Sequence, residues 1–152
     1  MTNDSIAFLV DTNVLVYAYD QAEPQKQRQA IEVLITLKQA RTGALSVQVL
    51  GEFFSATTRR LKPPLSVSDA AQAVSDFYHS WPVLEIYKPM VVDAVRGVID
   101  HKLSYYDAMI WATARYHGVP FLLSEDLSSG RIVEGVRIVN PFTADFDLRI
   151  LS

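Results

Sequence analysis

The stretch Ile6-Ala7-Phe8-Leu9-Val10-Asp11-Thr12-Asn13 decides how this 152-residue chain is read. Its five apolar residues are bounded, short and rich in branched side chains, which suits a strand buried on both faces. The polar Asp11-Thr12-Asn13 then closes the strand. A strand covered on both sides needs helices above and below, and the sequence downstream supplies them.

From Gln25 to Ala40, Ala30, Val33, Leu34 and Leu37 recur at the spacing of an amphipathic helix. Gly43 to Ser46 reads as a strand. A second helix places Val47, Leu50, Phe53, Phe54 and Thr57 on one face and is stopped by Pro63-Pro64. Ser66 with Asp69 predicts a capped helix through about Tyr78, and Trp81-Pro82 breaks it. Val83 to Ile86 reads as a strand. Pro89 suits the first turn of a helix whose apolar residues are Val91, Val92, Val95 and Ile99. Another helix runs from Tyr105 to His117 and ends at Gly118, followed by strands at Val119–Leu123 and Val136–Val139. This alternation predicts one α/β domain over residues 1–152, a central parallel sheet flanked by helices. Ligands of such sheets bind at the C-terminal ends of the strands.

Composition narrows the classes. Hydrophobic residues make up 49% of the chain and aromatics 11%, enough for a packed core, so a disordered or stapled scaffold is excluded. Fourteen Lys and Arg against seventeen Asp and Glu leave a net charge of −3, which excludes coating of nucleic acid by overall charge. With no cysteine there is no disulfide, thiolate catalysis or sulfur-bound metal. The run at residues 6–10 lacks a basic flank and is too short for a leader, and no segment reaches the roughly twenty apolar residues of a membrane span. A soluble cytoplasmic protein is expected.

Where the acids fall matters more than their sum. Asp11 follows the first strand, Glu52 lies early in the helix after the second, Asp107 is in the first turn of the helix opened by Ser104, and Asp126 follows the strand ending near Leu123, with Glu125 beside it. A parallel sheet can bring all four to one edge. Clustered carboxylates repel one another and stay ionised mainly when a cation compensates them. Oxygen ligands without His or Cys favour Mg²⁺ or Mn²⁺, ions that work on phosphates. The residues alone thus suggest metal-dependent phosphodiester hydrolysis. Each acid also has a plainer reading. Asp107 can be the capping partner of Ser104, Asp11 a helix cap, Asp126 a turn residue and Glu52 a solvated helix position. Gly51, inside a helix at a cost of about 1 kcal/mol relative to Ala, predicts a close approach to the backbone there.

At these residues the sequence resembles the PIN-domain family, and within it the VapC-type toxins of bacterial toxin–antitoxin pairs. The resemblance is carried by F-L-V-D-T-N-V-L-V-Y-A-Y-D from Phe8 to Asp20, S-V-Q-V-L-G-E-F from Ser46 to Phe53, L-S-Y-Y-D-A-M-I-W-A-T-A-R-Y-H-G from Leu103 to Gly118, and L-L-S-E-D-L-S-S-G from Leu122 to Gly130. It implies that Asp11 and Asp107 are principal metal-binding aspartates, Glu52 the family's glutamate, and Asp126 the fourth acid, although Glu125 contests that place. Ser104 and Asn13 match polar supporting positions. The activity implied is a Mg²⁺-dependent endoribonuclease, with Mn²⁺ an alternative ion, cutting single-stranded regions of RNA such as those of transfer RNA. A homodimer is implied too, and a cognate antitoxin whose C-terminal segment covers the acidic groove.

Other signals are plainer. His79, His101 and His117 lack ligand spacing, and the glycines form no phosphate-binding loop. Arg59, Arg60 and Lys62 can meet an RNA backbone or can simply be a solvated helix end. Tyr105, Tyr106, Trp111 and Tyr116 read as core or dimer contacts. Two rivals stand beside the nuclease. Asp11-Thr12-Asn13-Val14 partly mimics the D-x-D-x-[TV] of haloacid-dehalogenase-like phosphatases, with Asn13 in place of the acid/base residue. A PIN-like domain kept only for binding RNA or protein is the other.

Overall fold

The computed structural model describes residues 5–152. Six strands form one sheet in the order β3-β2-β1-β4-β6-β5, where β1 is Phe8–Val10, β2 Gly43–Ser46, β3 Val83–Leu84, β4 Phe121–Leu123, β5 Ile132–Val133 and β6 Val136–Val139. Neighbours from β3 across to β6 are parallel. The expected parallel sheet gains an antiparallel edge, because β5 pairs with β6 through a two-residue turn in which Glu134 and Gly135 both have positive φ, 47° and 87°.

Helices α1 (Thr12–Tyr17), α2 (Pro24–Ala40), α3 (Val47–Arg59), α4 (Val67–Ser80), α5 (Lys88–His101) and α6 (Tyr105–Tyr116) make the crossovers. Side-chain caps start several of them: Ser46 on Val49 N–H, Ser66 on Asp69 N–H and Ser104 on Asp107 N–H. Gly118 leaves α6 at a φ of 70°, as its sequence position predicts. The core lies on both faces of β1, β2 and β4, where Leu9, Val10, Ala44, Leu45, Leu122 and Leu123 are wholly buried. Among the described residues no helix is long and apolar enough to cross a membrane.

Two faces differ from expectation. On α3 the buried residues are Val49, Leu50, Phe53, Ala56 and Thr57, whereas Val47 is half exposed and Phe54 partly so. On α5 the expected apolar face points outward. Val92 is 71% and Ile99 64% exposed, and Met90, Ala94 and Gly97 meet the protein instead. The reason is contact distance. A Cβ on Gly97 would stand 2.8 Å from the Trp111 ring, so α5 and α6 touch through small residues and the larger valines are excluded from the seam. Of the α6 aromatics only Trp111 is core, its indole N–H donating to Val133 O at 3.0 Å; Tyr105, Tyr106 and Tyr116 are exposed.

Candidate active site

The connections leaving β1 and β4 run to opposite sides of the sheet, so these neighbours form its switch point, where a crevice opens beyond the strand ends. Val10 stands in register with Leu123, and Asp11 N–H donates to Leu123 O at 2.9 Å. The residues that follow each strand, Asp11 to Asn13 and Ser124 to Asp126, therefore meet. From the β2 side α3 brings Glu52, and α6 brings Asp107 in its first turn. Asp11, Glu52, Asp107 and Asp126 all line one cavity of about 410 Å³, with Asp20, Arg60 and Tyr106 also on its wall.

Asp11 is the anchor, 4% exposed. Its Oδ1 accepts Thr12 N–H at 2.7 Å, the helix-cap contact, and its Oδ2 accepts the Ser124 hydroxyl at 2.7 Å. The cap reading describes the Thr12 contact, and the same carboxylate also lies on the cavity wall. Burial pushes the Asp11 carboxyl up to about 7; the bonds from Ser124 and Thr12 oppose this, and the charges of Asp107 and Asp126 add to it. Glu52 is held by the Thr12 hydroxyl on Oε1 at 2.9 Å, with the Gln48 amide at 3.4 Å from the same oxygen. Gln48 also donates to Tyr106 O at 3.1 Å, tying the start of α3 to the start of α6. Its Oε1 is buried without a partner among the described residues.

Asn13 is the hub. Its Nδ2 lies 3.1 Å from Asp126 Oδ2 and 3.3 Å from both Asp11 Oδ2 and Ser124 Oγ, while its Oδ1 accepts Glu125 N–H at 3.2 Å. Glu125 points elsewhere, to Lys26 at 2.6 Å and to the Tyr17 hydroxyl, and is not on the cavity wall. Ser104 caps α6 and touches Asp107 only through its N–H, so the capping reading describes its contact. Of the basic residues Arg60 reaches the cavity, and Arg59 and Lys62 are not on its wall.

The sequence reading omitted Thr12, Tyr17, Lys26, Gln48 and Ser124. Ser124 had a signal, since it opens the Glu125-Asp126 pair at a strand end. Gln48 lies one helical turn before Glu52, another usable clue. Lys26 had none, being 99 residues from its partner. The close approach expected at Gly51 is absent within the chain: Gly51 is exposed, and a Cβ there meets nothing within 4 Å.

None of the Asp11, Glu52, Asp107 and Asp126 carboxylates has an ion-pair partner among the described residues, and no three acids or histidines there stand close enough to form a ready-made metal cage. The donor chemistry still fits a hard cation. Five carboxylates, Asp20 among them, line the cavity, Asp107 receives no hydrogen bond on its carboxylate among the described residues, and Asp11 is pushed towards its neutral form by burial first and by like charges second.

Fold and cavity together define an α/β protein with an acidic site at the switch point of a mostly parallel sheet. Residues 8–132 match the PIN domain, and the chain belongs to that family. Similar solved structures include a toxin–antitoxin complex from Klebsiella pneumoniae (22% identity, 90% of this chain and 98% of that one, TM-score 0.64). VapC20 of Mycobacterium tuberculosis, a sarcin–ricin loop cleaving toxin, is another (19% identity, 76% and 87% covered, TM-score 0.55). A third is VapBC2 from Rickettsia felis, bound to a DNA fragment from its promoter (14% identity, 88% and 97% covered, TM-score 0.62). No curated protein matches the sequence.

Proposed function

We propose that this protein is a VapC-type endoribonuclease toxin, hydrolysing RNA phosphodiester bonds at the acidic cavity in the presence of a divalent ion. The observation that carries the reading is the meeting of Asp11, Glu52, Asp107 and Asp126 on one wall without a cationic partner among the described residues. Asp11 and Asp107 would hold Mg²⁺ or Mn²⁺, with Glu52 and Asp126 completing the donor set. When bound, the ion supplies charge neutralisation at the scissile phosphate and a more acidic water.

The chain's own residues do the positioning. Thr12 and Gln48 occupy Glu52 Oε1, which leaves Oε2 to orient a water or accept its proton. Ser124 and Asn13 fix the Asp11 and Asp126 carboxylates relative to each other. Arg60 and Tyr106, on the same wall, would meet a phosphate and a base. Single-stranded RNA of the transfer-RNA or sarcin–ricin type is the substrate class, by analogy with the sarcin–ricin loop cleaved by VapC20.

A cognate antitoxin follows from the toxin–antitoxin complexes among the similar structures, and a basic segment would find the ion-free cavity attractive. A cytoplasmic homodimer completes the proposal; the outward face of α5, with exposed Val91, Val92, Val95 and Ile99, is an apolar surface suited to it. The phosphatase rival fails on chemistry, because the Asn13 amide sits where an acid/base carboxyl is needed. Incubating purified protein and Asp11→Asn with RNA in Mg²⁺ or in chelator tests the proposal. Cleavage by the parent in Mg²⁺ alone is expected. Tight RNA binding without metal-dependent cutting would favour a binding-only PIN domain, and equal cleavage by both proteins removes Asp11 from the site.

A further inference from the structure

Two acids, Glu125 and Asp126, stand side by side at the end of β4, and a divalent ion in the cavity would attract both. Glu125 has the longer reach, so something must keep it away. Its Oε2 meets Lys26 Nζ at 2.6 Å and its Oε1 accepts the Tyr17 hydroxyl. Lys26 Nζ also lies 3.3 Å from the Tyr17 hydroxyl and 4.9 Å from the centre of the Tyr17 ring. Three side chains from α1, α2 and the loop after β4 thus close on one another.

The Lys26 and Glu125 side chains are 37% and 22% exposed, and an ion pair at that exposure contributes only about 0–1 kcal/mol. Stability alone is a weak reason for the arrangement. Geometry gives a better one, because Asn13 takes the Glu125 N–H on Oδ1 and touches the Asp126 carboxylate through Nδ2. The backbone turn and the pair together send consecutive acids in different directions.

We propose that Lys26 and Tyr17 are positioning residues that sequester Glu125, so that of the two adjacent acids only Asp126 is available to the cavity's cation. The proposal rests on the reading of the cavity as a divalent-ion site. Freed from the pair, Glu125 competes for the ion with a wrongly placed carboxylate. Binding then tightens while turnover falls, a combination that loosened structure does not produce.

The test uses the full chain, with Mn²⁺ alone titrated calorimetrically and RNA cleavage measured in parallel. Tyr17→Phe removes the hydroxyl's two hydrogen bonds, to Glu125 and from Lys26, and no charge; Lys26→Met removes the cation. Each is expected to bind Mn²⁺ more tightly than the parent and to lose about tenfold in kcat, the activity loss typical on removing outer-shell partners of metal sites, with KM for RNA little changed. Adding Glu125→Gln to either removes the competitor and restores both quantities, and Lys26→Arg retains parent values. A bare field effect of the lysine predicts instead that Tyr17→Phe equals the parent, and that result overturns the proposal. So does a double variant no better than its single parent, or a parent that binds no Mn²⁺. Thermal unfolding of each variant identifies any loss of fold, and the isosteric Tyr17→Phe then carries the decision. If the parent binds Mn²⁺ but cuts no RNA, the nuclease reading fails while the affinities still judge the positioning pair.

Discussion

The molecule holds two acidic clusters that treat their carboxylates in opposite ways. At the β5–β6 turn, Glu134 is surrounded by cations: Arg96 donates to both oxygens, His101 Nε2 lies 2.6 Å away and Arg115 Nε 3.3 Å away. The Arg96 and His101 bonds hold its carboxyl down at about 2. In the switch-point cavity, Asp11 is buried near Asp107 and Asp126 with no ion-pair partner among the described residues, and its carboxyl rises to about 7, chiefly through burial. The first cluster is compensated within the fold; the second has no compensating ion pair among the described residues. A carboxylate buried at a strand end without an ion-pair partner is how a candidate site differs from a structural ion pair.

The largest effect should come from removing the buried charge at its centre. Asp11→Asn is expected to lower RNA cleavage by more than about a hundredfold, beyond the loss typical of an outer-shell partner. The same substitution should stabilise the ion-free fold at pH 8 by about 1–3 kcal/mol, because the buried charge is gone. Loss of activity with a lower melting temperature would instead make Asp11 a structural residue. Glu134→Gln should do the reverse, weakening the fold and sparing cleavage.

Divalent ions offer a second break. The folded pKa of Asp11 lies above its ordinary value of 3.8, so the native state holds that proton more tightly, and this group's contribution to stability falls as pH rises from about 4 to about 7. An ion in the cavity cancels that loss. Millimolar Mg²⁺ or Mn²⁺ should therefore raise the melting temperature by several degrees at pH 8 and by less at pH 5. The Asp11→Asn protein should show little response at either pH; equal shifts in both proteins would place the ion elsewhere.

This contrast was half legible in the sequence. Asp11, Glu52, Asp107 and Asp126 each sit at a position that a parallel sheet carries to one edge, and alternating elements are enough to see that. The order of the strands, and with it the switch point between β1 and β4, depends on pairing that no local pattern encodes. The direction in which the apolar face of α5 turns is hidden for a related reason. Periodicity shows that Val91, Val92, Val95 and Ile99 share a face but not which way it turns; Gly97 and Ala94 against Trp111 decide it. Lys26 and Glu125 are joined by folding alone.

The compensated cluster predicts a smaller effect with a different pH window. Glu134 has a folded pKa below its ordinary 4.5, so its contribution is present above about pH 4.5 and lost as pH falls towards about 2. With its side chain 28% exposed, solvent screening limits that contribution to about 1 kcal/mol. Acid unfolding of Glu134→Gln should accordingly converge with the parent near pH 2, having been weaker at pH 6. A constant offset across that range would trace the loss to the turn geometry rather than to the charges.

The smallest effect separates the cavity's rim from its floor. Gly51 precedes Glu52 on the exposed side of α3, with open space where a Cβ would stand. Gly51→Ala should stabilise the helix by about 0.5–1 kcal/mol, since alanine orders more readily and displaces nothing in the chain. Unfolding midpoints in denaturant would show that gain. If cleavage by the same variant stays at the parent rate, the glycine is a tolerated weakness in α3. If the fold gains stability and RNA cleavage falls, the close approach expected from the sequence is made by the substrate rather than by the chain, and Gly51 belongs to the binding surface beside Glu52.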